Sequence, residues 1–571
     1  MTQSTPTLPA YRAGQQLATI VATGLVLAAA LISRSALLDL PAIYDELYHL
    51  IPAMSWQDNG SYAILDGSYA RASVFTRLVA LGFDMAGERS ATAARFWPSA
   101  VPGALLVALI FLWTRVVAGW AAACIAAVFL VLWPTGIEVS QYVRFYALQG
   151  LAFAIGALAI HTALGPDLAA WRRAALLALA AAALLLALHL QLITLVGVMA
   201  VGLWVALYHG PGWLRRHVWL RWATAAALLA IVLILASGLF GDTLRGLWAT
   251  YRWQPWPAIP DPTFYHRDFR DTYPTFWPLF PLAALIALRV RPGPASFCLA
   301  IFGTCFVLQS FGGLKNVWYL YPAMPFFFVI WAMALAHVGP ALFAYLREAL
   351  RTITAPLGDR PWLTGIVVAG VLAGSAAFVV FANAAFVRAT ALIAGSDTST
   401  LLGKRRWEWP EAETMTAHWI DDGAVIVTTE ALLAVEFLGD YDIAFNRPHF
   451  SEMLYSLGPD TRPFTPDIRT GRPIAGQVGD LAPIIACAPV GIVLANAPWI
   501  TSPDARSIAR LAETAGANVS FDSRGGSALL GWRHAPDATL PACPDVPGLA
   551  GPSAATRLQS GETGPKRLVT R

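Results

Sequence analysis

The sequence predicts an α-helical polytopic membrane protein of about eleven transmembrane helices with a C-terminal soluble α/β domain. Three observations support this fold class: the composition, the long apolar blocks, and a change of pattern after residue 383. Of 571 residues, 57% are hydrophobic and 13% are charged, with a mean hydropathy of +0.56. Ordinary soluble domains carry about 25% charged residues. Blocks such as 17–32, 174–208 and 366–381 are typical of bilayer spans, since about 20 helical residues cross a ~30 Å hydrocarbon core.

Two apolar stretches are too long to be single helices. Residues 174–208 would form one helix of about 52 Å, so we predict a tight turn at 189–191. Arg115 and Gly119 likewise interrupt the stretch at 98–133. The predicted spans are 16–38, 97–114, 119–134, 145–164, 174–189, 192–208, 222–240, 276–289, 296–311, 319–338 and 362–383.

The distribution of basic residues orients these spans. With a cytoplasmic N-terminus, the cytoplasmic loops contain Arg115, Arg172, Arg215, Arg289 and Arg347, which agrees with the positive-inside rule. The first apolar run follows only one basic residue and has no clear cleavage site, which favours a signal anchor that remains as the first span. An odd number of spans places the chain after residue 383 outside. Absence of organelle signals and an Ala/Arg-rich composition favour a bacterial inner membrane.

The C-terminal region has the pattern of a small α/β domain. Residues 424–429, 441–445 and 490–495 are predicted strands, and 430–438 and 505–515 are predicted helices. We therefore divide the chain into a transmembrane domain at 1–383, an extracytoplasmic α/β domain at 384–550 and a disordered tail at 551–571. Cys487 and Cys543 fall in this region and would form a disulfide if it is exported, or remain free thiols if it is not.

Ionisable residues collect in the predicted outer loops. Asp45 and Glu46 follow the first span, where a carboxylate pair can hold a metal ion, bind a cation or act as a general base. Such acids also occur as the solvated first turn of a helix. Glu138, Gln141 and Arg144 recur at helical spacing before the fourth span, either as functional groups on one face or as side chains that snorkel to the interface.

Two further outer segments carry polar residues. His189 and Gln191 lie in the predicted turn, where a histidine is more often a helix cap than a catalyst. Lys315 near Tyr319 suits a phosphate at headgroup level, although an interfacial aromatic belt explains the tyrosine equally well. The loop at 241–275 is long, aromatic and charged, which suits a flap over a substrate.

The location of these groups bears on the class of function. The net charge of +4 is small and scattered, so nucleic-acid binding is not indicated. A transporter is expected to place polar groups near the midplane, with broken helices and repeats. Polar groups on one face favour an enzyme. A transporter or flippase of a lipid-linked glycan, and a non-catalytic cell-envelope assembly protein, remain alternatives.

Several of these segments, in their order and spacing, resemble the type C glycosyltransferase superfamily, especially the branch with protein O-mannosyltransferases and the lipid A aminoarabinose transferase. The resemblance covers residues 1–340. It rests on Asp45-Glu46 and on 65–71 (LDGSYAR), 87–98 (GERSATAARFWP), 140–146 (SQYVRFY) and 315–322 (KNVWYLYP). The Asp-x-Asp metal motif of other branches is absent from the first loop.

The resemblance implies an integral-membrane glycosyltransferase that moves a sugar from a polyprenyl-phosphate carrier to an extracytoplasmic hydroxyl of a lipid, protein or polysaccharide. It implies Asp45 as the general base, with Glu46 as the alternative, and we expect inversion at the anomeric carbon. No cofactor is required by this scheme, and a divalent cation is left open. The expected carrier-phosphate ligands are Arg144, Lys315, Arg95, Arg71 and Tyr319. The expected pocket residues are His49, Glu138, Gln141, Tyr146, His189 and Gln191.

Overall fold

The structure is a computed structural model of the whole chain. It describes residues 9–560 except for 167, 218, 220, 223–225, 227–228, 230–260, 313–314, 355–360, 397–399, 402–403, 406–408, 452–461 and 547–552.

Seven helices in the described part of the chain are long and apolar enough to cross a membrane, and three bent helix pairs raise the total to as many as ten. The single helices are α1 (Pro9–Ser35), α4 (Ala91–Ala118), α7 (Tyr146–Ala163), α8 (Ala170–Leu190), α9 (Thr194–Arg216), α12 (Pro292–Phe311) and α13 (Met324–Thr354). The bent pairs are α5 (Trp120–Val131) with α6 (Pro134–Ser140), α10 (Phe264–Thr272) with α11 (Phe276–Val290), and α14 (Pro361–Phe381) with α15 (Ala384–Ile393). The polytopic fold class is thereby confirmed.

The predicted breaks coincide with the observed ones. α8 ends at Leu190 and α9 begins at Thr194, which confirms the turn inferred from the length of the 174–208 block. Gly119, at φ 94°, separates α4 from α5 in a backbone region that favours glycine. The predicted span at 222–240 lies largely outside the described residues.

Three short helices lie at sharp bends from the apolar helices they adjoin. α6 bends by 59° from α5, α10 by 96° from α11, and α15 by 87° from α14. The buried side chain of Asn383 accepts a hydrogen bond from the Thr275 backbone N–H at 3.2 Å and donates one to Thr275 Oγ1 at 2.6 Å. These bonds fasten the start of α15 to the start of α11.

The segment between α1 and α4 contains α2 (Tyr44–Asn59), a two-stranded hairpin and α3 (Ser73–Ala86). The hairpin pairs β1 (Ala63–Ile64) with β2 (Gly67–Ser68).

The C-terminal domain contains a six-stranded mixed sheet with the order β7-β6-β5-β8-β10-β9. The first four strands in that order are parallel, and β10 and β9 are antiparallel to their neighbours. The strands are β5 (Val425–Thr428), β6 (Ile443–Phe445), β7 (Ile474–Ala475), β8 (Val490–Asn496), β9 (Asn518–Arg524) and β10 (Ser527–Arg533). A separate small hairpin pairs β3 (Thr400–Leu401) with β4 (Lys404–Arg405). The helices are α16 (Ala412–Asp421), α17 (Ala431–Phe437), α18 (Ala482–Cys487) and α19 (Pro503–Thr514).

Sequence reasoning identified β5, β6 and β8 and missed the β9–β10 hairpin. Cys487, at the end of α18, forms a disulfide with Cys543 in the segment after β10. Such bonds persist in oxidising compartments.

The predicted disorder of 551–571 is wrong for part of that segment. Residues Ala554–Ser560 form a helix, α20, whose first two alanines are buried. The backbone N–H of Ala554 donates to Asp442 Oδ1 at 2.6 Å, and Arg557 forms an ion pair with Asp440. The composition of the tail, rich in small and basic residues, gave no sign of its contacts with Asp442 and Asp440.

The β1–β2 hairpin docks on the C-terminal domain. The backbone N–H of Asp66 donates to the carbonyl of Thr470 at 3.2 Å, and that of Ser68 donates to the carbonyl of Ile468 at 3.2 Å. Arg472 forms ion pairs with Asp66 and Asp440, which joins the two parts of the chain. α2 also packs against α17. The domain is therefore held directly over the start of α2.

Gly67 permits this close approach, and replacing it should loosen the domain. In Gly67→Ala the new Cβ would lie 2.5 Å from Thr470 N and 2.6 Å from Arg469 O, both backbone atoms. We expect a lower melting temperature and faster proteolysis between residues 396 and 411. Gly479→Ala, where a Cβ meets nothing within 4 Å, is the matched control. Equal protease resistance of both variants would contradict the docking contact.

Candidate active site

α2 places the two neighbouring carboxylates in its first turn. The helix N-terminus favours negative charge there. The side chain of Glu46 turns back and accepts a hydrogen bond from the Ile43 backbone N–H at 2.8 Å. Adjacent residues on a helix point in directions about 100° apart, so Glu46 is fully buried while Asp45 remains partly exposed.

Glu46 and Arg95 form a fully buried ion pair. Arg95 donates from Nε to Glu46 Oε1 at 2.8 Å and from Nη2 to Oε2 at 2.6 Å, and neither side chain is exposed. The guanidinium also donates to the carbonyls of Leu38, Leu40 and Pro41. These contacts correct two predictions. Glu46 is a positioning residue rather than a base, and Arg95 binds the protein's own carboxylate and carbonyls rather than a carrier phosphate.

The same carboxylate positions the segment that carries Arg144. Glu46 Oε1 accepts a hydrogen bond from the Val143 backbone N–H at 2.8 Å. The next residue, Arg144, donates from Nη1 to the backbone carbonyl of Asp45 at 3.3 Å. The buried ion pair thus fixes Arg144 beside Asp45, across nearly one hundred residues of sequence.

Two guanidinium groups lie against one aromatic ring. The Cζ atoms of Arg144 and Arg71 lie 5.4 Å and 5.6 Å from the centre of the Phe145 ring. Arg71 also donates to Gln191 Oε1 at 2.9 Å, which brings together two residues predicted for this site. The distances of Arg144 and Arg71 from the Phe145 ring are both within the range of a cation–π interaction. The arrangement concentrates positive charge beside Asp45.

Several tyrosines surround this pair of cations. Burial lowers the pKa of Arg144, while Asp45 and nearby tyrosines raise it. The second effect is the larger, so the pKa of Arg144 is raised overall. Burial, with a further contribution from Tyr146, raises the pKa of Tyr319 to about 12, so its hydroxyl remains protonated. Tyr146 is buried and packs edge-on against Trp318 at 5.5 Å. Tyr319 and Tyr146 therefore lie near the two cations.

His49 is buried beneath the same ring. Its Nδ1 lies 2.9 Å from Thr76 Oγ1, and its ring contacts Phe145 edge-on at 5.8 Å. Burial, then the charges of Arg144 and Arg71, lower the pKa of His49 well below its usual value. The imidazole is therefore neutral at physiological pH.

Lys315 has a structural role instead of the predicted one. Its Nζ donates to the carbonyls of Gln309 at 3.1 Å, Ser310 at 2.6 Å and Gly312. All three N–H bonds of the ammonium group are thus directed at the C-terminal end of α12, where a cation is stabilising. This corrects the assignment of Lys315 to the carrier phosphate.

A pair of substitutions tests this reassignment. On the predicted transferase function, Arg144→Met should lower turnover about 10²-fold or more, because a cation beside the expected carrier phosphate is lost. Lys315→Met should leave turnover within about threefold and lower the melting temperature, because only a helix cap is lost. Initial rates with a carrier-linked sugar donor check both. Equal loss of turnover in the two variants would restore Lys315 to the site.

Glu138 belongs to a different cavity. It forms an ion pair with Arg388 of α15 and is 3% exposed. The cavity has a volume of about 300 Å³, and its lining includes Glu138, Asp268, Arg388, Tyr265 and Tyr273. Its lining does not include Asp45 or Arg144. Glu138 therefore lines a cavity other than the one predicted around Asp45.

Gln141 and His189 complete the predicted set. Gln141 is fully buried, with no hydrogen-bond partner for its amide among the described residues. His189 is exposed near the end of α8, two residues before Gln191. In the described part of the chain, no group of three or more His, Cys, Asp or Glu side chains is arranged to hold a metal ion.

The C-terminal domain contributes residues that sequence reasoning missed. Burial, then the charge of Asp45, raises the pKa of Glu430 to about 7. Burial, then the charge of Arg469, lowers the pKa of His449 to about 4, and Asp45 acts in the opposite sense. Arg469 Nη1 lies 3.4 Å from the hydroxyl of Tyr48 on α2. The site is thus built from both parts of the chain.

The raised pKa of Glu430 predicts a pH-dependent stability difference. Its carboxyl is protonated in the folded state up to about pH 7 but ionises near pH 4.5 when unfolded, so ionisation destabilises the fold as pH rises between these values. Glu430→Gln should therefore gain on the order of 2 kcal/mol relative to wild type between pH 4.5 and pH 8. Thermal unfolding across this range is the measurement. Glu513→Gln, on the exposed face of α19, is the control, and parallel pH profiles of wild type and Glu430→Gln would contradict the burial.

Comparison with known proteins places this site in a familiar fold. Neither protein-family models nor curated proteins match the sequence. Solved structures do. ArnT from Cupriavidus metallidurans, bound to undecaprenyl phosphate, aligns with a TM-score of 0.54 at 14% identity, covering 91% of this chain and 98% of ArnT.

A second similar structure comes from an archaeon. The oligosaccharyltransferase AglB from Archaeoglobus fulgidus, in complex with an inhibitory peptide and a dolichol-phosphate, aligns with a TM-score of 0.52 at 13% identity. That alignment covers 91% of this chain and 75% of AglB. The predicted resemblance to the type C glycosyltransferases is confirmed at the level of the fold, and this chain has the polytopic membrane architecture of ArnT and AglB.

Proposed function

We propose that this protein is an integral-membrane glycosyltransferase that moves a sugar from a polyprenyl-phosphate carrier to a hydroxyl acceptor outside the membrane. One observation carries the proposal: Arg144 donates a hydrogen bond to the backbone carbonyl of Asp45, and the guanidinium groups of Arg144 and Arg71 lie against the same aromatic ring, Phe145. The fold is that of proteins solved with undecaprenyl phosphate and with dolichol-phosphate.

The chemistry assigned to these groups is a single displacement. The acceptor oxygen attacks the anomeric carbon as the bond from that carbon to the carrier phosphate oxygen breaks. Asp45 takes the proton from the acceptor hydroxyl, and the carrier leaves as its phosphate. Attack from the face opposite the leaving group inverts the anomeric configuration. Asp45 is preferred over Glu46 as the base because both Glu46 oxygens are engaged by Arg95 and backbone N–H groups.

The cations act on the leaving group. Arg144 and Arg71 would bind the phosphate oxygens and stabilise the charge that develops as the sugar leaves. Phe145 holds both guanidinium groups, and Arg144 additionally contacts the Asp45 carbonyl, so little reorganisation is needed when the donor binds. The hydroxyl of Tyr319 would donate a hydrogen bond to the same phosphate. No resident cofactor or metal ion has a step in this scheme.

The topology proposed with this function has a cytoplasmic N-terminus, an extracytoplasmic C-terminal domain and a bacterial inner-membrane location. The Cys487–Cys543 disulfide supports the export of that domain. The acceptor hydroxyl would belong to a lipid, a protein or a polysaccharide.

Reconstituted protein tests the activity directly. The full chain in proteoliposomes should consume a synthetic polyprenyl-phosphate sugar and release polyprenyl phosphate, without any transbilayer gradient. A flippase would move the intact donor across the bilayer without breaking the sugar–phosphate bond. Mass spectrometry of the lipid fraction separates the two results, and intact donor in every condition would overturn the proposal.

A further inference from the structure

A pocket of about 230 Å³ lies at one edge of the sheet in the C-terminal domain. Its lining residues follow three strands: Thr429 and Glu430 follow β5, Asn446 and Arg447 follow β6, and Asn496 and Trp499 lie at and beyond the end of β8. Because β5, β6 and β8 are parallel, their carboxyl ends meet at this edge.

The order of the strands explains why a crevice forms there. From β5 the chain moves to β6 and β7 on one side, and then crosses to β8 on the other side of β5. In open α/β sheets, such a reversal leaves a gap beyond the carboxyl ends of the two strands, and ligands bind in this gap. The domain therefore has a binding crevice that the membrane helices do not form.

A chain of hydrogen bonds holds the polar wall of the pocket in place. The indole N–H of Trp409, a fully buried side chain, donates to Asn496 Oδ1 at 3.1 Å. Asn496 Nδ2 in turn donates to Glu430 Oε1 at 2.9 Å. These bonds orient the amide and engage one of the two oxygens of the carboxylate. α17 begins at Ala431, directly after Glu430, and packs against α2, so this wall of the pocket lies near the candidate active site.

The chemistry of the lining indicates the class of ligand. Arg447, the basic residue of the lining, lies 4.0 Å from Asp504, whose charge offsets its own. The pKa of Glu430 is about 7, so the lining carries no excess positive charge that would attract a phosphate or other anion. Two amides and a carboxylate can exchange hydrogen bonds with hydroxyl groups, and the face of Trp499 attracts polarised C–H bonds. The volume lies below the roughly 300–1,000 Å³ of drug-sized sites, which suits one small ring.

We propose that this pocket binds an uncharged, polyhydroxylated ring, a sugar unit of the acceptor, and so brings a hydroxyl of the acceptor to Asp45. The inference rests on the proposed transferase function for its meaning, and it names the acceptor as a carbohydrate-containing molecule. Binding itself requires no turnover, so the two can fail separately.

Saturation-transfer NMR on the full chain in lipid nanodiscs tests the pocket. The probes are methyl glycosides of glucose, mannose, galactose and N-acetylglucosamine, with inorganic phosphate and a neutral tripeptide for comparison. At least one glycoside should bind to wild type. Trp499→Ala should bind it about tenfold more weakly, and Trp499→Phe should retain most of the affinity because a ring face remains.

Controls separate a local effect from a loss of fold. Phe521→Ala removes an exposed ring from β9, at the far edge of the sheet, and should bind the glycoside like wild type. Asn496→Ala removes polar contacts without removing the ring and provides a second variant if Trp499→Ala unfolds. Melting temperatures identify any unfolded variant.

The outcomes separate this inference from the proposed function. Unchanged binding in Trp499→Ala and Asn496→Ala, absence of any glycoside signal, or preferential binding of phosphate or tripeptide would each overturn the pocket assignment. Donor consumption without glycoside binding would overturn the pocket alone. Glycoside binding without donor consumption would leave a carbohydrate-binding domain and overturn the transferase.

Discussion

Asp45→Asn is expected to lower the rate of sugar transfer by about 10²–10⁴-fold, the usual contribution of a general base. Asn preserves the size of the side chain but accepts no proton from the acceptor hydroxyl. Because Arg144 contacts the backbone carbonyl of Asp45, the substitution leaves that contact in place. Donor binding should therefore change little while turnover falls.

Rapid-quench measurement of donor cleavage and binding of labelled donor distinguish these two effects. Asp39→Asn is the matched control, since Asp39 is an exposed acid just before α2. Asp45→Glu should retain more activity than Asp45→Asn, because a longer carboxylate still accepts a proton. Full turnover by Asp45→Asn would remove Asp45 as the base and, with Glu46 internally paired, would leave this site without one.

Arg95→Met is expected to destabilise the protein by about 3–5 kcal/mol, since it leaves a buried carboxylate without its partner. Glu46 has no exposed surface on which to regain water. Without Arg95, Glu46 loses the guanidinium that orients its carboxylate toward the Val143 N–H, so Arg144 should be held less firmly beside Asp45. Activity should fall even where the protein remains folded.

A double substitution separates the charge from the packing. Arg95→Met with Glu46→Gln should recover much of the lost stability, because the uncompensated charge is gone and the amide oxygen still accepts a hydrogen bond from a backbone N–H. Arg270→Met, which breaks an exposed pair with Asp271, should leave the stability almost unchanged. Chemical unfolding in detergent measures all three. Similar losses for Arg95→Met and Arg270→Met would show that the buried pair does not organise the site.

The membrane fold was largely predictable because its signals are local. Apolar length, the break at Gly119 and the turn near Gln191 are all visible within a few residues of sequence. The bends between α10 and α11 and between α14 and α15 were not predicted, since they depend on contacts such as Asn383 with Thr275. The helix within the tail was missed for the same reason.

The candidate site was only partly predictable. Asp45, Arg144 and Arg71 were found because charged residues next to apolar spans stand out. The sequence could not separate Asp45 from Glu46, since their opposite environments arise from the direction each side chain takes from α2. Nor could it show that Lys315 reaches the end of α12, or that Glu430 approaches Asp45 from a separate domain.

On the proposed function, the backbone hydrogen bonds between the β1–β2 hairpin and the 466–472 segment would make the C-terminal domain one wall of the space in which transfer takes place. Water is the competitor of every acceptor hydroxyl, and a chamber with one wall removed admits it freely. A shortened chain that ended after α15 would thus retain Asp45 and both guanidinium groups, yet it would release free sugar from the carrier. On the proposed function, this enclosure would decide between transfer and hydrolysis.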